Sequence, residues 1–222
     1  MRKREKAERL SKIVCLMKKI YPDAVCALKY EGDPWRLLVM GRLSAQCTDA
    51  RVNIVCKELF KKYPDCASLA AADTAEVEEI IKPCGLFRTK ARNIIDASRM
   101  LSCEYGGRLP DDMERLLRLP GVGRKIANLL LGDIYGKEAI VADTHCIRIC
   151  GRFGMYPESL RDPYKVEMIL RDLIDPVEGS DFCHRIVMFG RDTCTARNPS
   201  CSSCPVAAEG LCLHFEKSRP TN

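Results

Sequence analysis

The sequence predicts an all-α protein, and three observations carry that expectation. Apolar residues recur at helical spacing through most of the 222-residue chain, as in Leu10, Ile13, Val14, Met17 and Ile20. No run alternates apolar and polar residues with the period of two that a half-buried strand requires. The helical runs are also bounded by residues that start and stop helices, such as Asp33-Pro34, Asp162-Pro163 and Gly106-Gly107. Neither an internal repeat nor a low-complexity linker is present, and a chain of this length can bury a substantial core as one domain or two.

Taken in order, the chain opens with an amphipathic helix behind a basic N-terminus, ended near Pro22. Asp33 is an N-cap with proline at the first helical position, leading a helix from Trp35 to Gln46. Another starts at Asp49, with Val52, Val55, Cys56, Leu59 and Phe60 along one stripe. Short helices follow at Cys66–Ala72 and Ala75–Lys82, the second capped by Asp73 with Glu76 three residues on. A longer helix runs from about Gly85 to Leu101 and stops at Gly106-Gly107. Its Arg88, Lys90 and Arg92 read as a solvated face that could also meet a polyanion. Further helices are expected at Thr144–Arg152, at Pro163–Leu173 with Asp162 as cap, and from Asp181 to about Arg191.

Charge and cysteine content narrow the function classes. A formal charge of +6, from 36 Lys+Arg against 30 Asp+Glu, suits a polyanionic partner without specifying one. Fourteen cysteines behind a charged N-terminus argue against a secreted disulfide scaffold and for a reducing compartment. Ten are scattered, several on apolar helical faces where a thiol acts as a small hydrophobe; only Cys194, Cys201, Cys204 and Cys212 are bunched. No apolar run approaches the length of a membrane span.

The chain is organised around Leu119-Pro120-Gly121-Val122-Gly123-Arg124-Lys125. Helical patterns lie on both sides, Met113, Leu116 and Leu117 before it and Ile126, Leu129, Leu130 and Ile134 after it. Pro120 and the glycines forbid one continuous helix. Gly121 and Gly123 are free to take positive φ and carry no Cβ, so the amides that begin the second helix can approach an anion closely. The final cysteines are spaced C-x6-C-x2-C-x7-C. The six-residue first gap is wide for a structural zinc site and suits a chain wrapped around a larger cluster.

The hairpin with Arg124 and Lys125, the downstream Val141-Ala142-Asp143-Thr144-His145 and the four terminal cysteines together resemble the endonuclease III family of DNA glycosylases. The resemblance implies a six-helix domain over 26–137 that holds the helix-hairpin-helix. It also implies a discontinuous domain, 1–25 plus 138–222, ending in a cluster loop, with DNA in the groove between the two. It further implies that Lys125 is the nucleophile that expels a damaged base and forms a Schiff base, and that Asp143 assists by charge or by handling the lysine's proton. Arg124, a helix N-terminus and partial burial would all favour the neutral amine. The relatives that act on adenine opposite oxidised guanine lack that lysine.

By the same resemblance the four cysteines hold a [4Fe–4S] cluster, although the family's last gap is usually five residues and here it is seven. Gln46, in Leu43-Ser44-Ala45-Gln46-Cys47-Thr48-Asp49, matches the loop whose glutamine enters the DNA stack. Gly121, Val122, Gly123, Arg124, Arg148 and Arg191 are the other expected DNA contacts. Ala142 and Phe189 depart from the family's usual residues. The partner implied is double-stranded DNA with a damaged base or abasic site, met by a monomer in the cytoplasm at the nucleoid. Oxidised pyrimidines are the first guess for the lesion. A thymine-mismatch glycosylase, a non-catalytic DNA-binding module and a zinc-stapled scaffold are the alternative readings.

Overall fold

The computed structural model describes residues 2–218, in which thirteen α-helices and three short 3-10 turns occur and no strand is found among the described residues. The all-α expectation therefore stands. The chain divides into two compact units, Met1–Val25 with Gly136–Asn222, and Cys26–Tyr135.

In the second unit, α2 (Pro34–Leu43) starts where Asp33 accepts from the amides of Trp35 and Arg36 at 2.9 and 3.2 Å. It ends at Leu43, three residues before the expected Gln46, because Ser44 to Cys47 form a turn in which Gln46 takes φ 54°. Seven of its ten residues are buried, including Leu37, Leu38, Val39, Met40 and Leu43. On it pack α3 (Asp49–Lys62) and α6 (Phe87–Glu104), and on α6 in turn pack α4 (Cys66–Ala70) and α5 (Thr74–Ile81). Trp35 is tied into this core by its indole N–H, which donates to Ser98 Oγ at 3.0 Å, and by Phe60 at 5.4 Å between ring centroids. The unit closes with α7 (Met113–Arg118) and α8 (Arg124–Asp133), the two arms of the hairpin.

The other unit packs α1 (Lys3–Ile20), through Leu10, Ile13, Val14 and Met17, on α11 (Gly179–Asp192). Between them in sequence come α9 (Thr144–Arg152) and α10 (Pro163–Arg171), each begun by an aspartate cap, Asp143 and Asp162. The C-terminal portion adds the one-turn α12 (Pro205–Ala208) and α13 (Leu213–Ser218), neither of which is visible as an apolar periodicity in the sequence.

Candidate active site and cysteine cavity

The hairpin turn is built by two glycines in different ways. Leu119-Pro120-Gly121-Val122 is a β-turn closed by the Val122 amide on Leu119 O at 3.1 Å, with proline at its second position and Gly121 at φ 77° at its third. A Cβ on Gly121 would lie 2.7 Å from Arg42 Nε and 2.8 Å from Asn93 Cβ, so the turn sits directly on the Arg42–Asn93 pair, itself hydrogen-bonded at 2.9 Å. Burial holds the Arg42 guanidinium below its ordinary pKa. Gly123 differs from the expectation. It is extended, at φ −101° and ψ 176°, it is the N-cap of α8, and among the described residues nothing lies within 4 Å of an added Cβ.

No side chain caps α8. Its first turn carries half-buried Arg124 and exposed Lys125. The partial burial expected for Lys125 is thus not present in the chain by itself. Val122, grouped with the DNA contacts on sequence grounds, is 7% exposed and its amide is engaged in the turn, so it anchors the hairpin from within.

A second cluster in this unit escaped the sequence reading. Lys90 is completely buried, and its Nζ donates to Leu43 O at 2.9 Å and to Cys84 O at 2.8 Å. Burial lowers its pKa. The lysine is therefore a bolt between the end of α2 and the turn before α6, and only Arg88 and Arg92 of that basic trio face outward. Just beyond each bolted carbonyl stands a non-glycine residue in the left-handed region, Gln46 at φ 54° and Leu86 at φ 48°. Leu86 is 56% exposed. Left-handed backbone outside glycine is costly and marks functional sites more often than chance. Gly85-Leu86 was legible only as a helix start. A separate cavity of about 550 Å³ at Trp35, Tyr105 and Tyr135 contains none of the motif residues.

In the other unit Asp143 is half-buried and accepts from the Cys146 amide at 2.7 Å, as an N-cap should. The half-buried Arg148 guanidinium donates to Cys194 O at 3.0 Å and Gly190 O at 3.4 Å, which makes it an internal clamp between α9 and the cysteine loop. Gly190 is glycine for the same reason, since a Cβ there would collide with His145 and crowd Arg148. Arg152, unremarked in the sequence, donates to Cys194 Sγ at 3.1 Å and Thr195 O at 2.8 Å. Arg191 is exposed.

Cys194, Cys201, Cys204 and Cys212 line one cavity, walled by Phe153, Phe189 and Phe215. The first gap forms a loop closed by the Ser200 amide on Thr193 O at 2.9 Å. The long last gap is taken up by α12, which ends in a Schellman motif: Leu211 N donates to Val206 O at 3.0 Å, Gly210 N to Ala207 O at 3.1 Å, and Gly210 has φ 64°. Cys212 is thereby returned to the cavity and is 7% exposed. Among the described residues no group of three or more His, Cys, Asp or Glu converges on a point that would hold a single ion. Four cysteine thiols on one apolar-walled cavity are the donor set that a [4Fe–4S] cluster takes. Phe189 forms part of this apolar wall, its ring centroid 6.0 Å from that of Phe153.

Comparison with known proteins follows the same lines. Residues 39–176 match the HhH-GPD superfamily of base excision DNA repair proteins, and residues 194–209 match the iron–sulfur binding domain of endonuclease III. Endonuclease III of Synechocystis sp. is 43% identical over 203 residues, which are 91% of each chain. The chain belongs to the endonuclease III family. Endonuclease III of Bacillus subtilis is 40% identical over 200 residues, 89% of each chain. A solved non-covalent endonuclease III–DNA complex superposes with a TM-score of 0.88 at 39% identity, covering 98% of both chains. A thermostable thymine-DNA glycosylase, at 22% identity and a TM-score of 0.84, shares the fold. The match to the family's iron–sulfur domain stops before Cys212, the thiol that follows the Schellman-closed α12 and lines the same cavity as the other three.

Proposed function

We propose that the chain is a bifunctional base excision enzyme, a DNA glycosylase that also cleaves abasic sites by β-elimination, with oxidised pyrimidines as its first substrates. The observation that carries this reading is Lys125, an exposed amine on the first turn of a helix whose N-cap glycine leaves space that no described residue fills. That space and the uncapped helix end suit a backbone phosphate, which would hold the nucleotide beside the amine.

In this reading Lys125 loses its proton and Nζ attacks C1′ of the extruded nucleotide. The C1′–N bond breaks and the base leaves with its electron pair. Asp143 stabilises the positive charge that develops on the sugar. The electron pair of the attached amine then opens the C1′–O4′ bond, O4′ taking a proton, and the iminium so formed acidifies C2′, whose deprotonation expels the 3′ phosphate. Gln46 and Leu86, held by the Lys90 bolt, are the groups placed to occupy the vacated stack. Gly123, Arg124 and Arg191 are proposed as phosphate contacts, while Gly121, Val122 and Arg148 serve the scaffold.

Cys194, Cys201, Cys204 and Cys212 hold a [4Fe–4S] cluster, which staples the C-terminal loop. No described helix is long and apolar enough to cross a membrane. Action at the nucleoid, in a reducing cytoplasm and as a monomer, completes the proposal.

Trapping tests it. Borohydride should fix a protein–DNA conjugate on an abasic duplex, and Lys125→Gln, which keeps length but cannot form an imine, should abolish the conjugate while retaining fold and binding. A Lys125→Gln protein that traps as well as its parent would remove Lys125 from the chemistry.

A further inference from the structure

Asp143 is carried by an irregular segment whose preceding residues, Ala139, Ile140, Val141 and Ala142, are all buried. Buried backbone outside a helix or sheet must find its hydrogen-bond partners elsewhere. Two of its amides turn back locally, Ala142 N onto Ile140 O at 3.2 Å and Asp143 N onto Val141 O at 2.8 Å. The Val141 amide instead leaves the segment and donates to Cys183 Sγ on α11 at 3.3 Å. Cys183 is itself 3% exposed.

One turn earlier on α11 stands Gly179, where an added Cβ would lie 2.5 Å from Ala139 O and 3.0 Å from Ile140 Cδ1. Positions four apart on a helix share a face. Gly179 thus admits the backbone of the segment and Cys183 supplies the acceptor that fixes its height. The chain is closed on the far side, because the Asp143 carboxylate holds the Cys146 amide at 2.7 Å.

We propose that Cys183, seated above Gly179, is a positioning residue for Asp143. Its sulfur accepts the Val141 amide and so fixes the backbone from which the carboxylate projects. A buried cysteine is commonly only a small hydrophobe. Here an apolar group of similar size would leave a buried N–H without a partner, so volume alone does not replace it. The inference rests on Asp143 assisting base expulsion.

Cys183→Val removes the acceptor at similar volume, and Cys183→Ser keeps one. Amide exchange over residues 139–145, read by mass spectrometry, and melting temperature are measured beside single-turnover base removal and scission of a preformed abasic duplex. In Cys183→Val the segment should exchange about tenfold faster and base removal should fall roughly tenfold, with scission nearly unchanged, since a displaced catalytic group costs rate steeply. Cys183→Ser should restore both. Gly179→Ala perturbs the same seat from below and should reproduce the valine pattern even if one cysteine variant fails to fold.

Parent-like exchange in Cys183→Val, an equal loss of excision and scission, or a serine variant as defective as the valine one would each overturn the proposal. An exchange difference in a protein whose parent removes no base would sink the glycosylase reading, and the catalytic half of this one with it, while establishing the anchor.

Discussion

The two hairpin glycines should fail in opposite ways when each is replaced by alanine. At Gly121 the backbone has φ 77°, and the new Cβ would lie 2.7 Å from Arg42 Nε and 2.8 Å from Asn93 Cβ. Left-handed backbone costs a non-glycine residue about 1–2 kcal/mol. Displacing Asn93 weakens its hydrogen bond to Arg42, worth about 1 kcal/mol. The sum, about 2–3 kcal/mol, corresponds in a chain of this size to a fall in Tm of roughly 4–12 °C.

At Gly123 neither cost applies. Its φ is −101° and an added Cβ meets no atom of the described residues within 4 Å. Exchanging glycine for alanine at an N-cap costs about 0.5–1 kcal/mol, the gap between the alanine and glycine penalties there, and the reduced freedom of the unfolded chain offsets it by about 0.4–1 kcal/mol. The melting temperature should therefore stay within a degree or two of the parent. The methyl group does project where a phosphate would approach the α8 amides, and a lost hydrogen bond to a charged group is worth about 1.5–3 kcal/mol, tenfold or more in Kd. Scanning calorimetry and fluorescence-anisotropy titration of an undamaged duplex at fixed salt measure both effects. Gly123→Ala that binds like its parent would refute the phosphate seat, and Gly121→Ala that melts like its parent would refute the reasoning from the Cβ contacts.

Asp143→Asn should keep the fold, because asparagine caps as well as aspartate, while base removal falls roughly 100-fold and scission at a preformed abasic site falls less; equal losses would argue against a role in expelling the base. The anaerobically purified protein should contain about four iron and four acid-labile sulfides per chain, and Cys212→Ala should lose occupancy. Full occupancy in that variant would show that the cavity recruits its fourth ligand elsewhere. Leu86→Gly relieves a left-handed φ of 48° at a 56% exposed side chain and should not lower Tm, yet lesion excision should drop more than binding to undamaged duplex. Unimpaired excision would take Leu86 out of the extrusion step.

Local chemistry made much of this protein legible in advance. The aspartate caps at 33, 73, 143 and 162 act within two or three residues of themselves, so the helices they begin were readable without tertiary information. The Pro-Gly-x-Gly hairpin and the order of the motifs were readable for the same reason. What tertiary structure decided is how residues distant in sequence share one group. Lys90 looked like a surface cation, since nothing within a few residues shows that Leu43 O, 47 positions away, needs its amine. Arg148 read only as a surface cation of its motif, and the tertiary structure alone puts its guanidinium on the carbonyls of Gly190 and Cys194. The two glycines were indistinguishable on paper, because whether a missing Cβ serves the fold or a ligand depends on what lies opposite, Arg42 and Asn93 in one case and open space in the other. The same holds for Cys183, one thiol among ten scattered ones. Its value as an acceptor exists only because α11 brings it to an amide 42 residues away that has no helix or sheet to pair with.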